Sequence, residues 1–390
     1  MADQTASGIV PFRVAIDEAA LRDLRERLAR TRWPDELDAP EWSYGADLGW
    51  LRRVTEYWRD GFDWRAAEAR INALAQFTAE VEGTSLHFIY ERGCGPAPLP
   101  LLISHGWPGS FVEMLEIVPM LADPARFGSD PADAFEVVVP SLPGYGFSGK
   151  PLRPGMTPRE MGRLFAGLMQ GLGYARYGVQ GGDWGATVST WIARDMPERV
   201  TGIHLNWLPG SYLPEGGPAL SADETAFRQR MEDSLGNGIS THTAIHGTRP
   251  QTLGYGLNDS PVGLAAWLLD KFRMLADCGG DLESAIPLDA LLTNLSVYWF
   301  TGTITSAIRL YKEARAEPLR FAPGERIRPP LGFAAFPGEV AVPPREWASR
   351  VFDVRRWTKM ARGGHFAAME QPAALAEDIR AFFRPLRGEP

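Results

Sequence analysis

Apolar residues in the first 80 positions recur at helical spacing. Leu21, Leu24 and Leu28 follow a capping Asp17, and Pro34 closes the run. Leu51, Val54 and Trp58 repeat the interval, as do Trp64, Ala67, Ile71 and Leu74 after Gly61 and a capping Asp63. Near residue 77 the period changes. Short apolar or alternating runs at 77–81, 86–90, 100–104 and 135–140 predict strands, each ending in turn-rich sequence. A helix over 161–172, a strand over 177–180, a helix over 185–195 and a strand over 200–206 come next. Strand alternating with helix predicts an α/β fold with a mainly parallel sheet covered on both faces. Residues 209–320 break the alternation; they are rich in Gly, Pro and Asn, with helical stretches at 262–275 and 291–314. It resumes with a strand at 331–336, a helix at 345–350, a strand at 351–358 and a helix at 373–383. The pattern therefore divides into a helical wrap (1–80), two parts of one α/β core (81–208 and 321–390) and a helical cap inserted between them (209–320).

Composition narrows the partners. A net charge of −8 argues against nucleic acid, which selects a basic face. No apolar run reaches the roughly 18 residues of a membrane helix. The opening MADQTASGIVPF lacks the charged-then-apolar layout of a signal peptide. Two cysteines, Cys94 and Cys278, cannot form a disulfide framework, so a reducing cytoplasm is the expected compartment. The 13 Trp, 10 Tyr and 19 Phe include many beside Gly and Pro, where aromatics often line a site.

Three glycine turns carry the chemistry. Gly181-Gly182-Asp183-Trp184-Gly185 lies between a strand and a helix, the place of a nucleophile elbow. The usual occupant is Ser; Asp183 instead suits attack on carbon, with formation of an ester of the enzyme and cleavage of a strained ring or a carbon–halogen bond. His105-Gly106-Trp107-Pro108-Gly109-Ser110 follows a strand and sits where a backbone N–H would complete an oxyanion hole, so Trp107 and Trp184 are its expected donors. His105, at the strand end, reads as structural. Gly363-Gly364-His365-Phe366, between the last strand and the last helix, presents His365 as the base. Its acid partner should stand on a strand tip. Glu339, after the strand at 331–336, fits; Glu215 is distant from its strand, and Asp353 lies inside the next strand. The order Asp183, Glu339, His365 is that of an α/β hydrolase.

These strings, with Val10-Pro11-Phe12, Arg32-Trp33-Pro34-Asp35, the run 140–148, the run 257–264 and Arg362-Gly363-Gly364-His365-Phe366-Ala367-Ala368, cover almost the whole chain. They resemble epoxide hydrolases of the microsomal and juvenile-hormone type, in a soluble bacterial form. The resemblance implies an α/β-hydrolase fold with a cap, no cofactor and no metal, and an epoxide and water as substrates. It implies that Asp183 opens the epoxide, that His365 with Glu339 activates water against the resulting ester, and that two cap tyrosines protonate the alkoxide. Tyr311 matches the second tyrosine. At the first position stands His242, with His246 where the family usually has Gln. Either His242 donates a hydrogen bond, or Tyr311 serves alone with His242 reshaping the pocket, or Tyr255 or Tyr298 is recruited; the reading favours Tyr311 alone. Tyr298, Trp299 and Phe300 are candidates for the cap-side wall.

Rival functions remain on the same scaffold: a haloalkane dehalogenase, a binding protein without catalysis, and a pathway enzyme that opens an epoxide with an internal nucleophile. Only four lysines (Lys150, Lys271, Lys312, Lys359) stand against 36 arginines, which suits a GC-rich bacterial source and either detoxification or secondary metabolism. A homodimer is the default oligomer.

Overall fold

The computed structural model describes residues 7–388, apart from 210, 215 and 237 and the side chain of residue 235. The alternative acid Glu215 therefore lies outside the described residues, as does the start of the opening segment. Nine strands form one sheet: β1 (Ser7–Phe12), β2 (Gln76–Val81), β3 (Thr84–Glu91), β4 (Leu99–Ser104), β5 (Phe135–Pro140), β6 (Tyr177–Gly181), β7 (Val200–Leu205), β8 (Ile327–Ala335) and β9 (Phe352–Lys359). Their order is β1-β2-β3-β5-β4-β6-β7-β8-β9. Pairings from β5 through β9 are parallel, and those among β1, β2, β3 and β5 are antiparallel.

The central strands are buried on both faces, and so read as unbroken apolar runs such as Leu101–Ile103 and Val137–Val139. The helix Asp183–Asp195 packs against β4, β6, β7 and β8, which fixes the turn that begins it at the middle of the sheet. Two expectations need correction. The first 80 residues are not wholly helical, because β1 and β2 extend the sheet. β1 contains Pro11, which cannot donate to a ladder and is tolerated on an edge. The expected helix at 291–314 is two helices, Leu288–Thr301 and Ile304–Ala316. Gly302 ends the first in the left-handed region at φ 59° and redirects the chain.

Between β7 and β8 run seven helices among the described residues, of which Ala222–Gly236, His242–His246 and Pro250–Asp259 have no strong apolar period to announce them. The N-terminal helices hold this insertion down. Glu18–Ala29 and Leu48–Glu56 are capped by Asp17 and Asp47 and bury Leu21, Leu24, Leu28, Leu51 and Val54. From the same region the buried Trp58 Nε1 donates to Ser296 Oγ at 2.9 Å, and Arg53 pairs with Glu283 at 2.5 Å. No helix among the described residues is long and apolar enough to cross a membrane.

Candidate active site

β6 ends at Gly181, Gly182 is extended, and Asp183 opens the next helix at φ 48°. A non-glycine residue there carries local strain of about 1–3 kcal/mol, which persists only where the surroundings enforce it. The strand and helix on either side do so, and the turn lifts the Asp183 carboxylate above the C-terminal ends of the parallel strands. That crevice is where open α/β sheets bind ligands. The helix N-terminus also favours a negative charge at this point.

Two partners converge on the carboxylate. The Trp107 N–H donates to Asp183 Oδ1 at 2.8 Å, and His365 Nε2 lies 3.4 Å from Oδ2. His365 Nδ1 is 2.8 Å from Glu339 Oε2, while Glu339 Oε1 accepts from the Val340 N–H. Burial alone would lower the His365 pKa, but the charges of Glu339 and Asp183 and the hydrogen bond to Glu339 hold it well above the ordinary value. Trp184 stands in the first helical turn, where N–H groups have no intrahelical acceptor. The His365 loop is tied to the insertion: the His365 N–H donates to Leu275 O at 3.1 Å, and the Gly363 N–H donates to Asp277 Oδ2 at 2.8 Å. His105 is a peg. Buried, it accepts from the Leu142 N–H at 3.1 Å, and burial lowers its pKa to about 4.

A cavity of about 570 Å³ opens between Asp183, Trp107, Trp184 and His365 on the core side and His242 and Tyr311 on the side of the insertion. Tyr311 stands perpendicular to the Trp184 ring, with centroids 4.8 Å apart, and burial holds its pKa well above the ordinary value. His242 stacks on Trp107 at 4.9 Å, and burial and Lys271 lower its pKa to about 4, so it is neutral at pH 7. His246 is set back from the cavity; it accepts from Trp267 Nε1 at 3.1 Å.

Other expectations fail on geometry. Tyr298 is not on the cavity wall: its buried hydroxyl donates to Gly109 O at 2.7 Å. Trp299 and Phe300 face the N-terminal region, one under Arg27 and the other against Trp64, because Gly302 turns the chain after them. Tyr255 is exposed, and Asp353 pairs with Arg355. One carboxyl was missed. Glu113 is buried near Asp183 and His365. Its sequence signal is a lone acid inside the apolar stretch Phe111-Val112-Glu113-Met114, just after the glycine turn.

The fold and this site define an α/β hydrolase with a carboxylate on its nucleophile elbow. Residues 9–114 match the family model for the epoxide hydrolase N terminus, and residues 100–215 match that for the alpha/beta hydrolase fold. A relative from Stigmatella aurantiaca is 41% identical over 98% of this chain and 86% of its own. Epoxide hydrolase 1 of Oryctolagus cuniculus is 39% identical over 96% of this chain and 88% of its own. The solved Aspergillus niger epoxide hydrolase superposes with a TM-score of 0.85 at 32% identity, covering 98% of both chains. The chain belongs to the epoxide hydrolase family.

Proposed function

We propose that this epoxide hydrolase works through a covalent ester on Asp183. The observation that carries the reading is the unbroken line Glu339–His365–Asp183, ending at a cavity whose opposite wall holds the Tyr311 phenol. An Asp183 oxygen attacks an epoxide carbon and the ring C–O bond breaks. The alkoxide takes the Tyr311 proton, leaving a hydroxyalkyl ester and a phenolate. Water then bonds to the Asp183 carboxyl carbon as one of its protons moves to His365 Nε2. The Trp107 and Trp184 N–H groups receive the oxyanion. The ester C–O bond breaks, and His365 returns its proton to the departing diol oxygen. The second water proton leaves the new carboxyl group and restores the Tyr311 phenol, so epoxide plus water gives diol.

The charge on Asp183 times the base. In the free enzyme that carboxylate helps keep His365 protonated. Esterification removes the charge, so the imidazolium releases its proton to solvent and becomes an acceptor at the step that needs one; it takes a proton back from solvent when the Asp183 carboxylate returns. Tyr311 is read as the sole phenolic donor; His242 is neutral and shapes the wall. The insertion at 209–320 acts as the cap over the substrate.

His365→Gln tests the scheme: the Asp183 peptide should gain the mass of the epoxide and retain it. Sustained turnover in that variant would assign the base elsewhere. A second activity is favoured by one observation. Trp107 and Trp184, both lining the cavity, carry buried indole N–H groups without a partner among the described residues, the donors that halide release from a haloalkane requires. Chloride release from 1-chlorobutane would support it.

A further inference from the structure

Glu113 has no task in the scheme above. A second cavity, of about 20 Å³, is bounded by Asp183, His365 and Trp107, which also bound the substrate cavity, and otherwise by core residues alone. The Asp183 carboxylate and the His365 imidazole thus stand between the two. The small cavity is lined by Glu113, Gln180 and Asn206. Its volume is that of one water, which requires roughly 10–15 Å³ and two to four polar partners. The partners are there. Gln180 is 1% exposed; its Nε2 donates to Asn206 Oδ1 at 3.0 Å, and its Oε1 has no partner among the described residues. His365 Nε2, 3.4 Å from Asp183, has no hydrogen-bond partner among the described residues.

The sequence makes room for the third group. Gly109 has no side chain, and a Cβ there would overlap Glu113 Oε1. The carboxyl of the 3₁₀ segment Phe111–Met114 therefore folds back under its own loop toward Asp183. There the Gly106 N–H faces it. A carboxylate this close to Asp183, with no arginine or lysine as partner among the described residues, would be a costly structural choice. Burial pushes the Glu113 carboxyl up to about 8, so it is a neutral hydrogen-bonding group at pH 7.

We propose that Glu113 and Gln180 hold, in the small cavity, the water molecule that His365 activates against the Asp183 ester. The inference deepens the covalent reading and rests on it. The water donates one hydrogen to His365 Nε2 and the other to Gln180 Oε1. The Glu113 O–H donates to one lone pair, and the remaining lone pair faces the Asp183 carboxyl carbon. Substrate and water then reach the carboxyl group from separate cavities, so a bulky epoxide cannot displace the nucleophile of the second step.

Single turnovers with styrene oxide and excess enzyme, quenched over time and followed by mass of the Asp183 peptide, give the alkylation and hydrolysis rates separately. Glu113→Leu should slow hydrolysis about tenfold, the loss of one hydrogen bond to the water. Alkylation should stay within about twofold, since the substrate cavity is unchanged. Glu113→Gln retains a donor and should recover most of the hydrolysis rate. Gln180→Met should show the same split as Glu113→Leu, and decides the matter if circular dichroism shows Glu113→Leu to be misfolded. Hydrolysis at the wild-type rate in the folded Leu or Met variant overturns the water site. A wild-type enzyme and a His365→Gln variant that both leave Asp183 unmodified would instead overturn the covalent reading.

Discussion

The Tyr298 hydroxyl donates to the carbonyl oxygen of Gly109 at 2.7 Å, joining a helix of the insertion to the loop that carries the Trp107 N–H. Asn294, one turn earlier, donates to Pro108 O at 3.0 Å and accepts from Ser110 Oγ at 2.7 Å. The two side chains fix the backbone of the loop Pro108-Gly109-Ser110. The Tyr298 phenol is thus a holder; of Tyr298 and Tyr311, Tyr311 is the one that lines the cavity.

Tyr298→Phe and Tyr311→Phe should therefore differ in kind. Removing the Tyr298 hydroxyl leaves one buried carbonyl unpaired, a loss of about 1–3 kcal/mol in stability with a modest fall in rate. Removing the Tyr311 hydroxyl should cost about 10²–10⁴-fold in alkylation with little change in stability. Thermal unfolding and single-turnover alkylation separate the two; equal rate losses would restore Tyr298 as a donor.

The two half-reactions should depend differently on pH. Alkylation needs the Asp183 carboxylate and the Tyr311 phenol, whose pKa is raised, so it should be level from neutral to mildly alkaline pH. Hydrolysis needs a neutral His365, whose pKa falls once Asp183 is esterified. Its rate should drop as pH decreases below neutrality, and alkyl-enzyme should accumulate in acid. Hydrolysis that is level down to pH 5 would contradict the assignment of His365 as base.

Acid should also destabilise the fold. Burial lowers the pKa of His87 to about 3, of His105 and His242 to about 4, and of His246 to about 3. Each is neutral when folded and binds a proton near pH 6.5 when unfolded, so each contributes stability above that pH. The contribution is lost as pH falls toward 4, at about 1.4 kcal/mol per unit for each group. Glu113, Glu370 and His365, with raised pKa values, oppose the trend because their stabilisation is lost as pH rises through the folded value. The four histidines outnumber them. Urea midpoints should fall between pH 7 and pH 5, and His87→Asn should flatten the dependence. A midpoint that rises on acidification would contradict the balance.

The elbow, the oxyanion loop and the His365 turn were legible because each joins a local glycine turn to a strand or helix boundary within a few residues. Glu339 followed from its place on a strand tip. The insertion was legible only as an interruption of the pattern, since helices such as His242–His246 are too short to carry a period. Tyr298 was misplaced because the direction of its helix depends on Gly302, a one-residue break that periodicity bridges. Glu113 stayed hidden for a different reason: its nearness to Asp183 arises from the parallel pairing of β4 and β6, which a lone acid in an apolar segment does not reveal.

The covalent route is tested most directly by a single turnover in heavy-oxygen water with enzyme in excess. The first diol should carry no label, since one oxygen is the epoxide's and the other comes from Asp183, while the label appears in the Asp183 carboxylate. A labelled first diol with an unlabelled Asp183 would show that water attacks the epoxide itself and would contradict the account.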